Sequence, residues 1–402
     1  MRPVERLRAR WRASSPTAKV AAVAIPSCAL AGLLAATAAN AGLFAPLASA
    51  RPSPASIQVP APATTMRPPA TSRPPAIPTP PTPTTAPASP TPVPSPPRPT
   101  AHTTPSSVAS PARGPQGPIS PLTGLPGAAG RILAVKIDNI VTARPQTGVN
   151  SADVVYAIEV EGGLSRFLAI YDSNHLPQGD AIGPVRSARE SDLPILQQYG
   201  KVDFVYSGAL SKFLPVLADA NVFNCSPDQD GSFFRGTSNA PPSNLYTTPS
   251  DILRDFPGSA PAQDVGFRFG DAPDGGDPTD SYTATMPSAS FTFTWSAEQG
   301  KYLVAMDGTP ADTTDEGPIG AATIVIQKVA ETTSPRGFMD SPGVPSPYAP
   351  TIGSGDAVFL RDGKAYQGSW SRTDAGSGTT FTYQGGAMRF HPGQVWIVLD
   401  PQ

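Results

Sequence analysis

The residues of this chain whose types and spacing are best suited to chemistry are the carboxylates of Asp153-Val-Val-Tyr-Ala-Ile-Glu-Val-Glu161. Period-two strand geometry sets Asp153, Glu159 and Glu161 on one face, and Val154, Tyr156, Ile158 and Val160 on the other. Glu159 and Glu161, on a strand end running into Gly162-Gly163, can form a general acid/base pair, because their mutual repulsion raises the pKa of one of them. The alternative is that they neutralise arginines of the same region: Arg144, Arg166, Arg186 and Arg189.

The second group lies in Gly183-Pro-Val-Arg-Ser-Ala-Arg-Glu190, which reads as a loop entering a helix. Ser187 is the expected N-cap, and Glu190, three residues on, completes a capping box. Arg186 and Arg189 then sit at a helix start, where the macrodipole disfavours cations, so they need anionic partners. Those partners are either Glu159 and Glu161, or the carboxylate or phosphate of a ligand held by guanidinium forks and helix N–H groups. Asp138-Asn139 closes an earlier strand and Arg144-Pro-Gln146 follows it, at a strand end where α/β pockets form, although turn capping explains these residues equally well.

Other signatures are absent. The sequence has no Gly-x-Ser-x-Gly elbow, no His-Glu-x-x-His, no paired-cysteine motif and no phosphate loop, and neither a metal nor a cofactor is expected. It has three histidines: His102 in a linker, His175 in an expected loop and His391 beside a β-turn, each read as a surface residue. Trp370 and Trp396 could form a sugar-stacking platform, but paired aromatics on neighbouring strands are more often core.

The elements that must position these residues fall into two patterns. Up to residue 260, strands at Ile132–Asp138, Asp153–Glu161, Arg166–Tyr171 and Val202–Tyr206 alternate with helices near Ser187–Tyr199, Ala209–Asp219 and Ser250–Phe256. From Val265 onward the helical period disappears. Short alternating runs follow at 290–295, 301–306, 322–327, 356–360, 365–370, 379–383 and 394–399, separated by turns such as Arg361-Asp362-Gly363-Lys364 and Gln384-Gly385-Gly386. The expected fold class is α+β: a mixed α/β domain over 119–260, then a mainly antiparallel β domain over 261–402, read as a small β module or a sheet extension.

Before residue 119 the composition gives an address. Arg2, Arg6, Arg8, Arg10, Arg12 and Lys19 precede an uncharged run from Val20 to Ala50, longer than the ~20 residues a spanning helix needs, which places the N-terminus in the cytoplasm and the rest across the membrane. The 1–50 segment is therefore an anchor or a signal peptide. Its length favours an anchor, Ala39-Asn40-Ala41 and Ala48-Ser49-Ala50 suit cleavage and secretion, and Cys28 raises the alternative of lipidation. Residues 51–118 are about one-third proline, with Thr, Ser and Ala, and are expected to be a disordered spacer. Eleven of the chain's 29 Lys and Arg fall in 1–118 with one of its 31 acidic residues, leaving 18 basic against 30 acidic beyond. That balance argues against nucleic acid as a partner. Cys225 is the only cysteine after residue 28, so an internal disulfide is not expected there, and a buried free thiol is.

Several segments together resemble the YerB-like family of bacterial envelope lipoproteins, DUF3048. They are Ser120-Pro-Leu-Thr-Gly-Leu-Pro126, Val135-Lys-Ile-Asp-Asn139, Ala143-Arg-Pro-Gln146, Ala152-Asp153, Glu161-Gly-Gly163 with Arg166-Phe167, and Gly183-Pro-Val-Arg-Ser-Ala-Arg189. In the C-terminal part Gly353-Ser-Gly355, Asp362-Gly363-Lys364, Gly368-Ser-Trp370 with Arg372, and Pro392-Gly-Gln-Val-Trp396 resemble that family's second domain. Ser243, before Asn244-Leu-Tyr-Thr247, departs from the histidine the family often carries there. The resemblance implies an envelope protein and brings no settled activity. The expectation is a membrane-tethered extracytoplasmic protein that binds an anionic wall component or an envelope protein. Its expected ligand set is Asp138, Asn139, Arg144, Arg166, Arg186, Ser187, Arg189 and Asn244, with Glu159 and Glu161 orienting the arginines. The rivals are a cell-wall hydrolase or transferase working through Glu159 and Glu161, and a structural scaffold in which intramolecular pairs consume every arginine.

Overall fold

The computed structural model describes residues 117–340 and 343–402. The basic tail, the apolar run, the Pro-rich spacer, Cys28 and His102 lie outside the described residues. Among the described residues no helix is long and apolar enough to cross a membrane.

Strands dominate. The N-terminal half supplies β1 (Ile132–Asp138), β2 (Val154–Val160), β3 (Leu164–Asp172), α1 (Asp192–Gln197), β4 (Asp203–Val205), α2 (Leu214–Asp219), β5 (Phe223–Cys225), β6 (Phe233–Arg235), β7 (Leu245–Thr247) and α3 (Pro249–Asp255). The C-terminal half adds β8 (Ser281–Met286), β9 (Ala289–Ser296), β10 (Lys301–Met306), β11 (Thr323–Val329), β12 (Gly353–Arg361), β13 (Lys364–Arg372), β14 (Thr380–Tyr383) and β15 (Val395–Pro401). Both halves build one 12-stranded sheet, ordered β14-β13-β12-β11-β15-β2-β3-β1-β4-β5 with two-residue strands at its margin. The final strand β15 lies parallel to both β2 and β11, so the last residues of the chain join the two halves. The β8–β10 meander belongs to a separate five-stranded sheet. Both outcomes foreseen for the C-terminal half, a small β module and a sheet extension, occur side by side.

Strands buried on both faces lose the simple inside/outside alternation, and β1 and β2 are buried at every position. The period-two split persists as two cores. Val154, Tyr156 and Ile158 join one, while Val155 and Ala157 join the other with Phe167, Phe291 and Trp396. Trp396 and Trp370 are both core residues, and Trp370 Nε1 donates to Lys328 O at 2.8 Å. The foreseen hairpin turns form where glycine follows a residue at positive φ, with Asp362 at 52° and Gly363 at 71°, and Gln384 at 48° and Gly385 at 78°. Cys225 is a buried free thiol, its pKa pushed up by burial.

The first two helices are shorter than expected, the third forms at its expected length, and the capping box does not form. Gly183–Arg186 is held extended between β1 and β7: Asp138 N donates to Pro184 O (2.8 Å), Arg186 N to Lys136 O (2.7 Å) and Val185 N to Leu245 O (2.6 Å). These long-range bonds outweigh local capping, so α1 begins only at Asp192, and the Asp192 carboxylate accepts the Arg189 N–H at 2.7 Å. Ser187 is not an N-cap. Glu190 instead accepts from the hydroxyl of Ser334 and the guanidinium of Arg336.

Candidate functional site

β1, β2, β4 and β5 run in one direction, since β1 and β2 both pair antiparallel with β3, β4 pairs parallel with β1, and β5 pairs parallel with β4. Their C-terminal ends therefore form a common rim, where pockets of open sheets gather. Asp138 and Arg166 are direct cross-strand partners there. The extended Gly183–Arg186 segment delivers Arg186 beside them. A Cβ at Gly183 would stand 2.7 Å from the Tyr246 ring and 2.9 Å from Leu245 O, so that close approach requires glycine.

The charged groups at this rim have specific partners. Arg186 Nε lies 3.2 Å from Asp138 Oδ2, an ion-pair distance without hydrogen-bond alignment, and Ser243 Oγ donates to the same oxygen at 2.8 Å. Asp138 Oδ1 and Arg166 Nε are buried without partners among the described residues. Arg166 Nη1 donates to Ser187 O at 3.1 Å. Its pKa is pushed down to about 10 by burial and by the neighbouring Arg189 and Arg186 cations. Arg189 grips Glu161, with Nε 2.8 Å from both carboxylate oxygens and Nη2 2.7 Å from Oε2. Burial would raise the Glu161 pKa, but Arg189 and the Ser346 hydroxyl hold it at about 2. Arg144 bonds Asn139 through its side chain (3.2 Å) and carbonyl (2.7 Å) and pairs with Asp307 at 2.9 Å. Asn139 is further tied to Gln146 and Ser165.

Glu159 and Glu161 do not form the expected pair, and Glu159 does not orient an arginine. The chain leaves β2 through a one-turn 3₁₀ segment, Glu161–Gly163, which breaks the strand alternation after Val160. Glu159 instead faces Glu331, and each has one buried oxygen without a partner among the described residues. Burial and the Glu159 charge raise the Glu331 pKa to about 7, and burial raises that of Glu159. Asp153 sits at the opposite end of β2, where it accepts from Asp172 N (2.5 Å) and pairs with His175 Nδ1 (3.0 Å). Burial raises its pKa to about 6 against those contacts. His391 likewise pairs with Asp362 at 2.7 Å, and both histidines remain partly exposed at the surface, as expected.

A Glu331→Gln variant tests this carboxylate pair. A carboxyl whose pKa rises on folding from 4.5 toward 7 makes the folded state bind the extra proton, so its stabilising protonation is complete below pH 4.5 and is lost as pH rises through 7. With Glu331 partly exposed the effect is discounted for solvent screening. The variant is expected to be more stable than wild type by about 1 kcal/mol at pH 8, with the gap closing by about pH 4.5. Urea denaturation at both pH values measures it, and equal stability at pH 8 would remove the pair from consideration.

Beside Arg186 lies an open cavity of about 560 Å³, walled by Arg186, Ser187, Asp230, Phe233, Phe234 and Arg235. Arg235 reaches it through the β6–β7 hairpin, which pairs Arg235 with Leu245. Its Nη1 donates to Asn244 Oδ1 (2.7 Å) and Pro242 O (3.4 Å), both neutral acceptors. Of the expected ligand set, Arg186 and Ser187 line this cavity, while Asp138 and Asn244 stand behind its two guanidiniums. Asn139, Arg144, Arg166 and Arg189 are engaged elsewhere. The sequence reading missed Asp230, Phe233, Phe234 and Arg235. The available signal was Asp228-Gln-Asp-Gly-Ser-Phe-Phe-Arg235, a turn followed by two aromatics and a cation.

Residues 122–262 match the model described as "Protein of unknown function (DUF3048) N-terminal domain", and 282–397 match the corresponding C-terminal domain. The chain belongs to the DUF3048 family. It is 39% identical over 122 residues to "Putative lipoprotein YerB" of Bacillus subtilis (strain 168), a match covering 29% of this chain and about a third, 35%, of that relative's length. The crystal structure of the YerB protein from Bacillus subtilis superposes with a TM-score of 0.58 at 23% identity, over 71% of this chain and 97% of that one, and so shares the fold. The cavity, Arg186 and the β6–β7 hairpin all fall within the N-terminal DUF3048 segment, and β15 begins within the C-terminal one.

Proposed function

We propose that this DUF3048 protein is an extracytoplasmic, membrane-tethered envelope protein that binds an anionic group of a wall component or partner protein in the cavity between Arg186 and Arg235. The observation that carries the reading is that two guanidiniums line one cavity at the strand-end rim, and one of them, Arg235, is held among the described residues only by neutral acceptors. Its charge is left for a ligand, which separates binding from pure scaffolding. The lipoprotein name of the Bacillus relative, together with the basic and apolar N-terminal sequence, supports the tethered location. Hydrolysis or transfer through Glu159 and Glu161 is not favoured, since Arg189 holds Glu161 ionised and neither residue lines the cavity.

The test is co-sedimentation of the full chain with purified native cell wall, comparing wild type with Arg235→Ala and Arg186→Ala/Arg235→Ala. Losing one charge-assisted contact is expected to weaken pelleting about tenfold or more, and added salt to weaken it further. Undiminished pelleting by a double variant with native circular dichroism would refute the cavity as the binding site.

A further inference from the structure

We infer that the ligand of this cavity is a carbohydrate bearing an anionic substituent, a sugar phosphate or sugar carboxylate; the inference rests on the binding reading above and names its ligand class. Three features converge on it. Phe234 is 44% exposed, an unusual exposure for phenylalanine, while Tyr246 stacks on it at 5.7 Å and 20° between ring planes. Tyr246 thereby covers part of the ring, and Phe234 lines the cavity, so its exposed surface is available to the C–H face of a sugar ring. Tyr246 is itself fixed by close backbone approach, since a Cβ at Gly236 would stand 2.5 Å from its ring.

Polar groups on the same wall match hydroxyls rather than an apolar guest. Ser187 and Ser207 line the cavity and can both donate and accept, and Asp230 lines it as an acceptor. Both bonds that Ser232 makes to Asp230, from its backbone N–H at 2.6 Å and from its hydroxyl, fall on Oδ1, leaving Oδ2 for a ligand hydroxyl. Arg186 and Arg235 supply the anion recognition. Behind them Asp138 Oδ1, in a residue with no solvent exposure, is buried without a partner among the described residues, an unmet hydrogen-bond acceptor next to the site. The volume of about 560 Å³ falls in the range of small-molecule sites and holds one or two sugar rings. An acidic peptide would satisfy the arginines without needing the hydroxyl-matching groups of Ser187, Ser207 and Asp230.

Isothermal titration of the full chain with glucose 6-phosphate, N-acetylmuramic acid, N-acetylglucosamine and inorganic phosphate tests the class. Saturation-transfer NMR on the same samples reports which ligand protons touch the protein. The expected result is saturable binding of one or both sugar anions, strongest saturation on ring C–H protons, and weaker binding of the neutral sugar and of inorganic phosphate. The two anionic sugars distinguish phosphate from carboxylate recognition. Phe234→Ala is expected to reduce sugar-anion affinity about tenfold and leave inorganic phosphate binding unchanged, whereas Arg235→Ala reduces both. If inorganic phosphate binds as well as the sugar anions, if Phe234→Ala changes nothing, or if no sugar anion binds, the carbohydrate assignment is overturned. Wall pelleting that still depends on Arg235 would then preserve the anion-binding reading without it.

Discussion

An Asp192→Ala variant is expected to lose about 3–5 kcal/mol of unfolding free energy, because it strands a buried cation. Lys136 Nζ lies 2.6 Å from Asp192 Oδ1, and both side chains are fully buried. Burial lowers the Lys136 pKa; Asp192 raises it back, and the nearby Arg166 and Arg189 push it down again. Without Asp192 the amine must either lose its proton or remain charged in an apolar surrounding beside two more cations. The Arg189 N–H also loses its acceptor, and with it part of the restraint on the arginine that holds Glu161. Urea denaturation followed by circular dichroism measures the loss. The companion variant Lys136→Met/Asp192→Leu separates a missing partner from a missing shape: an apolar pair of similar volume is expected to recover most of the stability. A single-variant loss below about 1 kcal/mol would mean that the pair contributes little to the fold.

Trp396→Ala is expected to cost about as much, 3–5 kcal/mol, through the cavity it leaves. Trp396 has no solvent exposure and packs edge-on against Phe167 at 5.2 Å, Phe293 at 6.2 Å and Phe291 at 6.4 Å. Phe167 belongs to the central sheet while Phe291 and Phe293 belong to the five-stranded sheet, so one indole joins the two layers. Its Nε1 also donates to Gln394 Oε1 at 2.9 Å, and Gln394 Nε2 donates to Val149 O (2.8 Å) and Ala152 O (2.7 Å) at the approach to β2. Truncation therefore empties the packing and loosens the residue that ties β15 to the N-terminal half. Trp396→Phe, which keeps an aromatic edge, is expected to lose clearly less than the alanine variant. Equal losses in the two variants would point to the Gln394 hydrogen bond, not to packing, as the dominant contribution.

The candidate site was partly legible before the fold. Arg186, Ser187, Asp138 and Asn244 do gather at the cavity, because a Gly-Pro-led extended segment and a strand-ending Asp-Asn have little local choice of conformation. The partners assigned to them were another matter. Arg189 takes Glu161 as foreseen, but Arg186 takes Asp138, which lies directly across the β1–β3 ladder from Arg166. Glu159 finds Glu331, brought from the opposite half by β11 and β15. The helix foreseen from Ser187 begins at Asp192, because backbone bonds to β1 and β7 hold the preceding residues extended.

Properties carried by neighbours along the chain were readable from residue order alone: the strand segments through their period of two, the Asp-Gly and Gln-Gly hairpins through their positive φ, the free thiol through cysteine count, and the family through its motifs. Which distant groups meet was settled only by folding in three dimensions. Arg235 reaches the cavity because β6 folds back on β7, and β15 closes the sheet by inserting between β2 and β11. Ion pairs and cavities depend on strand order and register, which bring together residues far apart in the chain, and no local periodicity encodes those choices.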